Sequence, residues 1–452
     1  MSPPRLCPLI VISVKTDTRA TREMEQLSIA CISWNVETTW PEEDLHALMG
    51  VRKDPVIKRG LDGYLPDLYI IGLQEVKSQP QNVVMDTLFE EPWTNALREV
   101  IGPHDYVRVT GERLQGIVTS VFVKRRHLHH IRDIHTSVVR TGFGGFWGNK
   151  GATSIRFSLY GCSMCIVNCH LAAHDTGYKE RVENFNAIID STRFPIPETS
   201  NILYHDYVFW LGDMNFRYEA NMTSEIIAKH IGEANWTALE DADELRKAQK
   251  SGDAFSMLKE GPLNFPPTYK YLEGTNTYDF SRRPAWTDRI LYQVHVDAYE
   301  NVKLGVEQLL YSPIEVYTQS DHKPVTTTYK VKVFANHDDR CVRFQPMGTW
   351  VVGEGGPVKI SLDSDVVTSP WDYIALYKVD FTSMHQYITY TYIPQPNLGN
   401  TSQRTFQLLF NDELLQHPEF GAHHFKTRGY DDSYIQYGYT SIIINGGLNV
   451  VL

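Results

Sequence analysis

The chain has 452 residues, of which 42% are hydrophobic and 21% are charged, and its formal net charge is −11 at pH 7. This composition is typical of a soluble globular protein with a large core, and the length accommodates two or three average domains. The net negative charge disfavours non-specific binding to nucleic acid, so we expect no nucleic-acid partner. No apolar run approaches the ~18 residues that a transmembrane helix needs, so we expect neither a membrane-spanning segment nor secretion.

From Leu27 to about residue 334, short β-rich apolar runs alternate with polar helical segments. This alternation predicts an α/β layer architecture, preceded by an irregular lead-in at residues 1–26. The spacing of apolar residues predicts helices over Lys179–Ser191 and Trp236–Lys250. The predicted strands are Ser28–Trp34, Asp67–Leu73, Ile117–Lys124, Thr153–Tyr160, Met164–Cys169, Tyr207–Leu211, Arg289–Val294 and Val325–Val331.

Beyond Asn336 the helical periodicity fades, and aromatic and β-branched runs recur between turns. This pattern predicts a small all-β sandwich over residues 340–452, joined to a domain of residues 27–334 by a polar hinge at Ala335–Arg340. The predicted strands of the sandwich are Thr349–Val352, Val358–Leu362, Tyr373–Val379, Tyr387–Ile393, Thr405–Phe410 and Thr440–Ile444.

The cysteines give no sign of a metal knuckle or a disulfide framework. Cys162, Cys165 and Cys169 lie inside strand-like sequence. We therefore expect reduced, buried thiols in a cytosolic protein, with a zinc site or disulfides as the less favoured alternative.

Polar residues close several of the predicted apolar strands, where functional residues of α/β sheets gather. Any one of them could be a cap or turn residue, but their joint occurrence at strand ends favours a common site. The segments Trp210–Asn215 and Gln319–Pro324 both place carboxylates and phosphate-binding groups there, as phosphate ester hydrolysis requires. The residues of this set are Asn35, Glu75, His170, Asp213, Asn215, Asp321 and His322.

Glu75 and the amide oxygen of Asn35 are suitable ligands for Mg²⁺, which prefers hard oxygen atoms and takes only one or two carboxylates. The alternative for Glu75 is a salt bridge to Lys77, which the apolar strand leading into Glu75 disfavours.

The ordered motifs of residues 27–333 resemble those of the inositol polyphosphate 5-phosphatases, within the exonuclease III/deoxyribonuclease-I-like superfamily. The resemblance implies an α/β four-layer sandwich, in which two mixed sheets pack face to face with helices outside. The motifs are Trp34-Asn35-Val36, Gly72-Leu73-Gln74-Glu75, Gly148-Asn149-Lys150-Gly151, Asn168 to His174, Gly212-Asp213-Met214-Asn215, Pro267-Thr268-Tyr269-Lys270, Pro284 to Arg289 and Ser320 to Pro324.

The same resemblance implies the roles of the site residues. Glu75, helped by Asn35, holds Mg²⁺, and Asp213 aligns a water that attacks phosphorus directly, with no phospho-enzyme. Asp288 orients His322 and keeps it cationic, while Asp321 lies on the metal side of the site. The residues implied to bind the attacked phosphate are Asn149, His170, Asn215 and His322.

Substrate selection requires cations placed for a phosphate that is not cleaved. Tyr269, Lys270, Arg282 and Arg283 lie in the matching motifs, and we assign them to the 4-phosphate of an inositol ring. Arg282–Arg283 could instead be a solvated loop pair. Lys150 is either a second phosphate contact or a solvent-facing residue.

His174 to Lys179 resembles the loop that family members place against the bilayer, where Tyr178 and Lys179 alone would anchor weakly. Ser369 to Val379 resembles part of a SKICH domain, which implies binding to membrane-associated protein partners. We therefore expect a cytoplasmic protein that associates peripherally with the plasma membrane or endoplasmic reticulum.

The leading functional hypothesis is Mg²⁺-dependent removal of the 5-phosphate from phosphatidylinositol 4,5-bisphosphate and the 3,4,5-trisphosphate. Soluble inositol polyphosphates are further candidate substrates. One alternative is a phosphodiesterase of the same superfamily, a nuclease or sphingomyelinase. Another is a catalytically dead membrane scaffold, which would require the loss of a metal ligand or of the water-orienting residue, and neither is lost here.

Overall fold

The computed structural model describes residues 23–51, 65–77, 91–142, 147–335 and 337. Of the C-terminal part it describes residues 342–346, 356–362, 373–378, 381–392, 405–410 and 439–444. Among these residues, no helix is both long enough and apolar enough to cross a bilayer.

The N-terminal part contains eleven strands and five α-helices among its described residues. The strands are β1 (Met24–Asn35), β2 (Leu68–Gln74), β3 (Tyr106–Leu114), β4 (Ile117–Lys124), β5 (Ile131–Gly142), β6 (Trp147–Leu159), β7 (Cys162–His170), β8 (Tyr207–Asp213), β9 (Asp288–Val294), β10 (Val306–Pro313) and β11 (Val325–Phe334). The helices are α1 (Pro92–Ile101), α2 (Tyr178–Ser191), α3 (Ser224–Gly232), α4 (Trp236–Asp241) and α5 (Glu244–Ser251).

These strands form two mixed sheets. The first has the order β10-β11-β1-β2-β4-β3, and the second has the order β5-β6-β7-β8-β9. Within each sheet one central pair is parallel, β1 with β2 and β7 with β8, and the other neighbours are antiparallel.

Alternating side chains of each central strand enter different cores, which is why these strands are apolar throughout. In β2, Leu68 and Ile70 pack between the two sheets, whereas Tyr69 and Ile71 pack under α1 on the outer face. In β8, Phe209 faces the inner core, and its neighbours face α2 and α5. The result is the four-layer α/β sandwich expected from the sequence.

The structure confirms the predicted strands of this part and shows three more, β3, β5 and β10. Helix Lys179–Ser191 is confirmed as α2, but the prediction of one helix over Trp236–Lys250 is wrong. The chain ends α4 at Asp241 and starts α5 at Glu244, because the side chain of Asp243 caps α5 by accepting from the backbone N–H of Arg246. Asp243 also accepts from the buried guanidinium of Arg289.

The C-terminal part has six described strands in two antiparallel three-stranded sheets. They are β12 (Val342–Pro346), β13 (Gly356–Leu362), β14 (Tyr373–Lys378), β15 (Tyr387–Tyr392), β16 (Thr405–Phe410) and β17 (Tyr439–Ile444), in the orders β12-β13-β16 and β15-β14-β17. Five match predicted strands; β12 was not predicted, and the predicted strand Thr349–Val352 lies outside the described residues. The exact domain limits remain predictions.

The thiols of Cys31, Cys162, Cys165 and Cys169 are buried, as expected. Burial raises the pKa of the Cys169 thiol to about 12, so it stays protonated. These cysteines belong to the core.

Candidate active site

The two parallel strand pairs end side by side, and their ends carry the predicted site. Asn35 pairs with Gln74, the residue before Glu75, and His170 pairs with Asp213 in the other sheet. The two sheets are joined at this end because Asn35 Nδ2 donates to Asp213 Oδ2 at 3.0 Å.

Asp213 lies at the centre of the site and is 1% exposed. Its Oδ2 lies 3.3 Å from Nε2 of His170 and 4.0 Å from Nε2 of His322. Burial alone raises the pKa of Asp213, but the charges and hydrogen bonds around it, His170 foremost, hold it well below its usual range. The carboxylate is therefore ionised at any physiological pH.

His322 is held by a buried carboxylate. Its Nδ1 lies 2.8 Å from Oδ2 of Asp288, which also accepts from the hydroxyls of Thr268 at 2.8 Å and Thr287 at 2.9 Å. Burial lowers the pKa of His322, but Asp288 and then Asp213 raise it to about 10. His322 is therefore a cation that presents Nε2 to the cleft.

His170 has the opposite character. Its Nε2 is in hydrogen-bond contact with the amine of Lys150. Burial, followed by the nearby charge of Lys150, lowers the pKa of His170, and burial likewise lowers the pKa of Lys150. The pKa values of the two imidazoles on either side of Asp213 are therefore shifted in opposite directions, that of His170 downward and that of His322 upward, as expected of a site that separates acid and base roles.

Asn215 is fixed by Arg217, a residue that the sequence analysis did not select. The guanidinium of Arg217 donates to Asn215 Oδ1 at 2.6 Å and to its carbonyl oxygen at 3.1 Å, and it lies 4.6 Å from the ring centroid of Tyr269. Asn215 Nδ2 donates to the carbonyl of Leu171 at 3.0 Å. The sequence offered one signal for Arg217: it follows Asp213 and Asn215 at the same spacing of two residues.

The open side of the site is suited to a divalent cation, because its side chains offer carboxylate and amide oxygen atoms as ligands. The carboxylate of Glu75 is 41% exposed, lines the cleft and lies 3.8 Å from Nε2 of His170. Lys77 instead lies 5.3 Å from the ring centroid of Trp40, so the alternative salt bridge to Glu75 is not formed. Asn35 Oδ1 accepts from the backbone N–H of Glu37 at 3.1 Å.

Asp213, Asp288 and His322 also bring potential ligand atoms within 4.8 Å of one another. In this cluster His322 is hydrogen-bonded to Asp288 and is cationic. A histidine must be neutral to bind a metal ion, so this cluster is a poor metal site. Glu75 with Asn35 is the better donor set.

The site opens into a cleft of about 180 Å³. Lys270 borders this cleft without lining it: its Nζ lies 2.9 Å from Oδ2 of Asp321, which is a lining residue. The ring of Tyr269 packs against His322 at a centroid distance of 4.5 Å. The lining also includes Glu37, Lys150, His174, Arg217 and Arg282.

Glu37 is a second lining residue that the sequence analysis missed. Its Oε2 accepts from the backbone N–H of Asp321 at 2.7 Å. Burial, together with the nearby charge of Asp321, raises the pKa of Glu37 to about 7. Like Arg217, it follows a selected residue, Asn35, by two positions.

Three predicted binding residues lie outside the cleft. Arg283 donates to Asp175 Oδ2 at 3.0 Å and to the carbonyls of Glu219 and Met222 at 2.9 Å, so its guanidinium holds loops together. Asn149 is exposed and lines a neighbouring cavity of about 460 Å³. Lys179 is exposed at the start of α2, 3.6 Å from Glu183.

Comparison with known proteins agrees with this geometry. Residues 32–328 match the family described as Endonuclease/Exonuclease/phosphatase family 2, and residues 342–433 match the SKICH domain. The chain is 32% identical over 394 residues to mouse inositol polyphosphate 5-phosphatase K, covering 84% of this chain and 82% of that protein. The chain belongs to the inositol polyphosphate 5-phosphatase family.

The chain is also 36% identical to human phosphatidylinositol 4,5-bisphosphate 5-phosphatase A, over 84% of its length. The match spans 38% of that relative's length. Among solved structures, the 5-phosphatase domain of SPsynaptojanin, in complex with inositol (1,4)-bisphosphate and calcium ion, superposes with a TM-score of 0.58 at 29% identity, covering 69% of this chain and 86% of that one. The phosphatase and SKICH parts are thus both recognised in this chain.

Proposed function

We propose that the chain hydrolyses the 5-phosphate of phosphatidylinositol 4,5-bisphosphate and phosphatidylinositol 3,4,5-trisphosphate, and of soluble inositol polyphosphates, with Mg²⁺ as cofactor. The observation that carries this proposal is the position of Asp213 in the lining of the cleft, 3.3 Å from His170 and 4.0 Å from His322. Lys270 borders the same cleft through its ion pair with the lining residue Asp321. The substrates named for the relatives support the choice of substrate class.

In this proposal Asp213 accepts a hydrogen bond from the attacking water and fixes its direction toward phosphorus. A carboxylate whose pKa is so far depressed is a weak base, so its contribution is orientation more than early proton removal. No protein nucleophile is required, and the thiols of the four described cysteines are buried.

The phosphate under attack is held by donors of different charge. Cationic His322 contributes a donor at Nε2, and Asn215, which lines the cleft, would contribute the amide hydrogen that does not bond to Leu171. Lys150 adds a positive charge beside His170. Such preorganised donors stabilise the charge that develops on the phosphoryl oxygens in the transition state. Asn149, which is exposed at the mouth of the neighbouring cavity, remains a proposed contact.

Glu75 and Asn35 are the residues that would hold Mg²⁺, with Asp321 nearby. When bound, such an ion supplies Lewis-acid stabilisation of phosphate oxygens.

The uncleaved 4-phosphate is assigned to Tyr269, Lys270 and Arg282. The amine of Lys270 now lies 2.9 Å from the carboxylate of Asp321. A bound phosphate would replace that carboxylate as the anionic partner of Lys270. Arg283 is reassigned, because its guanidinium is already engaged by Asp175 and by backbone carbonyls. It supports the loop that carries Arg282.

We further propose that the protein works in the cytoplasm at the surface of the plasma membrane or endoplasmic reticulum. Lys179, exposed at the start of α2, supplies a weak contact to an anionic leaflet. The SKICH domain is assigned to protein partners at the membrane.

The decisive experiment measures phosphate release from a panel of inositol lipids and soluble inositol phosphates that differ only in the 3-, 4- and 5-positions, with Mg²⁺ and with a chelator. We expect release only from 5-phosphorylated compounds and only with the metal. Release that is indifferent to the 5-phosphate, or nicking of plasmid DNA in a parallel assay, would overturn the proposal.

A further inference from the structure

A short turn of the SKICH domain, residues 381–384, contacts the phosphatase domain through backbone hydrogen bonds. The backbone N–H of Arg108 in β3 donates to the carbonyl of Thr382 at 2.8 Å, and the N–H of Met384 donates to the carbonyl of Arg108 at 3.0 Å. Arg108 and Ser383 thereby form a parallel β-bridge. Because β3 is an edge strand of the first sheet, the turn adds to that sheet by β-augmentation.

Side chains on both sides complete this contact. Phe381, 3% exposed, lies 4.5 Å from the guanidinium of Arg125, which also donates to the Phe381 carbonyl at 2.6 Å. Arg98 donates to the hydroxyl of Thr382 at 3.2 Å. Ser383 is fully buried, so the contact excludes water.

The turn is shaped before it meets β3. The side-chain oxygen of Gln386 accepts from the backbone N–H groups of Thr382 and Ser383 at 2.9 and 3.2 Å. The hydroxyl of Tyr377 donates to the carbonyl of Met384 at 2.8 Å, and its ring packs 4.5 Å from that of Phe381. A preorganised segment binds with a smaller loss of conformational entropy.

The phosphatase domain has a matching feature at Gly102, which follows α1. A Cβ placed on Gly102 would lie 2.7 Å from Cγ2 of Thr382. The backbone of Gly102 is right-handed helical, with φ −52°, so any residue could adopt it. Because Gly102 has no side chain, Thr382 can pack closely against its backbone.

The docked turn lies at the end of the sheet that is remote from the active site. Arg108 pairs with Phe122, which pairs with Tyr69 on β2, whereas the site begins at Glu75 beyond the other end of β2. At the rise of an extended strand, Tyr69 and Glu75 are about 20 Å apart.

We propose that residues 381–384 form an intramolecular latch, which fixes the SKICH domain to the end of the phosphatase domain opposite the cleft. A partner held by the SKICH domain and a substrate in the cleft then bind at opposite ends of one rigid unit. This proposal does not depend on which phosphate the enzyme removes.

The test is amide hydrogen exchange of the full-length chain, read at the N–H groups of Arg108 and Met384. The wild-type protein should protect both. Gly102→Ala should lower the protection of both by about tenfold, because the added methyl group overlaps Thr382. Thr382→Ser, which removes Cγ2 and keeps the hydroxyl, should restore protection in the double variant.

Gly232→Ala is the matched control, since a Cβ at Gly232 meets nothing within 4 Å. Arg125→Ala provides a second, independent route to weakening the latch. None of these variants should change kcat or KM for a soluble inositol phosphate by more than about twofold, because the latch is remote from the cleft. Unprotected amides at Arg108 and Met384 in the wild-type protein would overturn the proposal, as would a loss of kcat in Gly102→Ala with both amides still protected.

Discussion

The imidazole of His322 meets the carboxylate of Asp288 at 2.8 Å, deep in the site, and this contact is the first cause of a histidine pKa of about 10. We predict that Asp288→Asn lowers the pKa of His322 toward its ordinary value of 6.5. The alkaline limb of the profile of kcat/KM against pH should then move from near pH 10 toward neutrality. An unchanged alkaline limb in this variant would contradict the assignment of His322 as the cationic donor.

The same pair predicts how stability depends on pH. The folded-state pKa of His322 lies above its unfolded value, so its contribution is complete below pH 6.5 and is lost as the pH rises toward 10. The difference in free energy of unfolding between the wild-type protein and Asp288→Asn should therefore shrink across this window. Urea unfolding at several pH values measures it, and a difference that grows with pH would refute the sign.

Asp213 carries a prediction about catalysis. Asp213→Asn keeps the size of the side chain but removes the negative charge that orients the water, so kcat should fall by ~10³-fold or more. Circular dichroism and the thermal midpoint should stay close to wild type, which separates a chemical defect from misfolding. Activity within tenfold of wild type would remove Asp213 from the proposed mechanism.

Arg217 offers a test of positioning. Arg217→Lys keeps the charge but loses the two-point contact with Asn215, so kcat should fall by ~10-fold or more while KM changes little. Arg246→Lys is a suitable control, because Arg246 also binds a backbone carbonyl, that of Gly261, but does not line the cleft. Equal losses in the two variants would indicate a structural role alone.

The sequence predicted which residues come together in the site more completely than it predicted the strands of the sheets. Asn35, His170 and Asp213 each close an apolar run, and parallel strands necessarily bring such ends together. The added strands β3, β5, β10 and β12 are all edge strands. An edge strand is partly exposed, so its sequence carries fewer apolar residues and resembles a loop.

The predicted ring-binding residues show a different limit. Arg282 and Arg283 are adjacent in sequence, yet only Arg282 lines the cleft, while Arg283 binds Asp175 and loop carbonyls. The local sequence shows that a charged residue is present, but it does not show which partner that residue contacts once the loop has folded. Tyr269 likewise lies against His322, a contact that depends on the path of the whole loop.

A metal prediction follows from Glu75. Glu75→Gln retains the oxygen at the cleft but removes its charge, so the Mg²⁺ concentration for half-maximal activity should rise by ~10-fold or more. Activity at saturating Mg²⁺ should recover in part, which distinguishes a binding defect from loss of a chemical group. Lys77→Ala, whose amine lies against Trp40, is the neighbouring control and should leave the metal requirement unchanged.

Lys270 allows the assignment of the 4-phosphate to be tested directly. Lys270→Ala removes the amine that pairs with Asp321 in the structure and would pair with phosphate in the complex. We expect kcat/KM to fall by ~10-fold or more for substrates with a 4-phosphate, and far less for 5-phosphorylated compounds without one. Lys179→Ala, outside the cleft, should spare soluble substrates and lower only the rate on anionic vesicles. If Lys270→Ala reduces both substrate classes equally, Lys270 contributes to the attacked phosphate or to the fold, and the rim of the cleft does not read the 4-position.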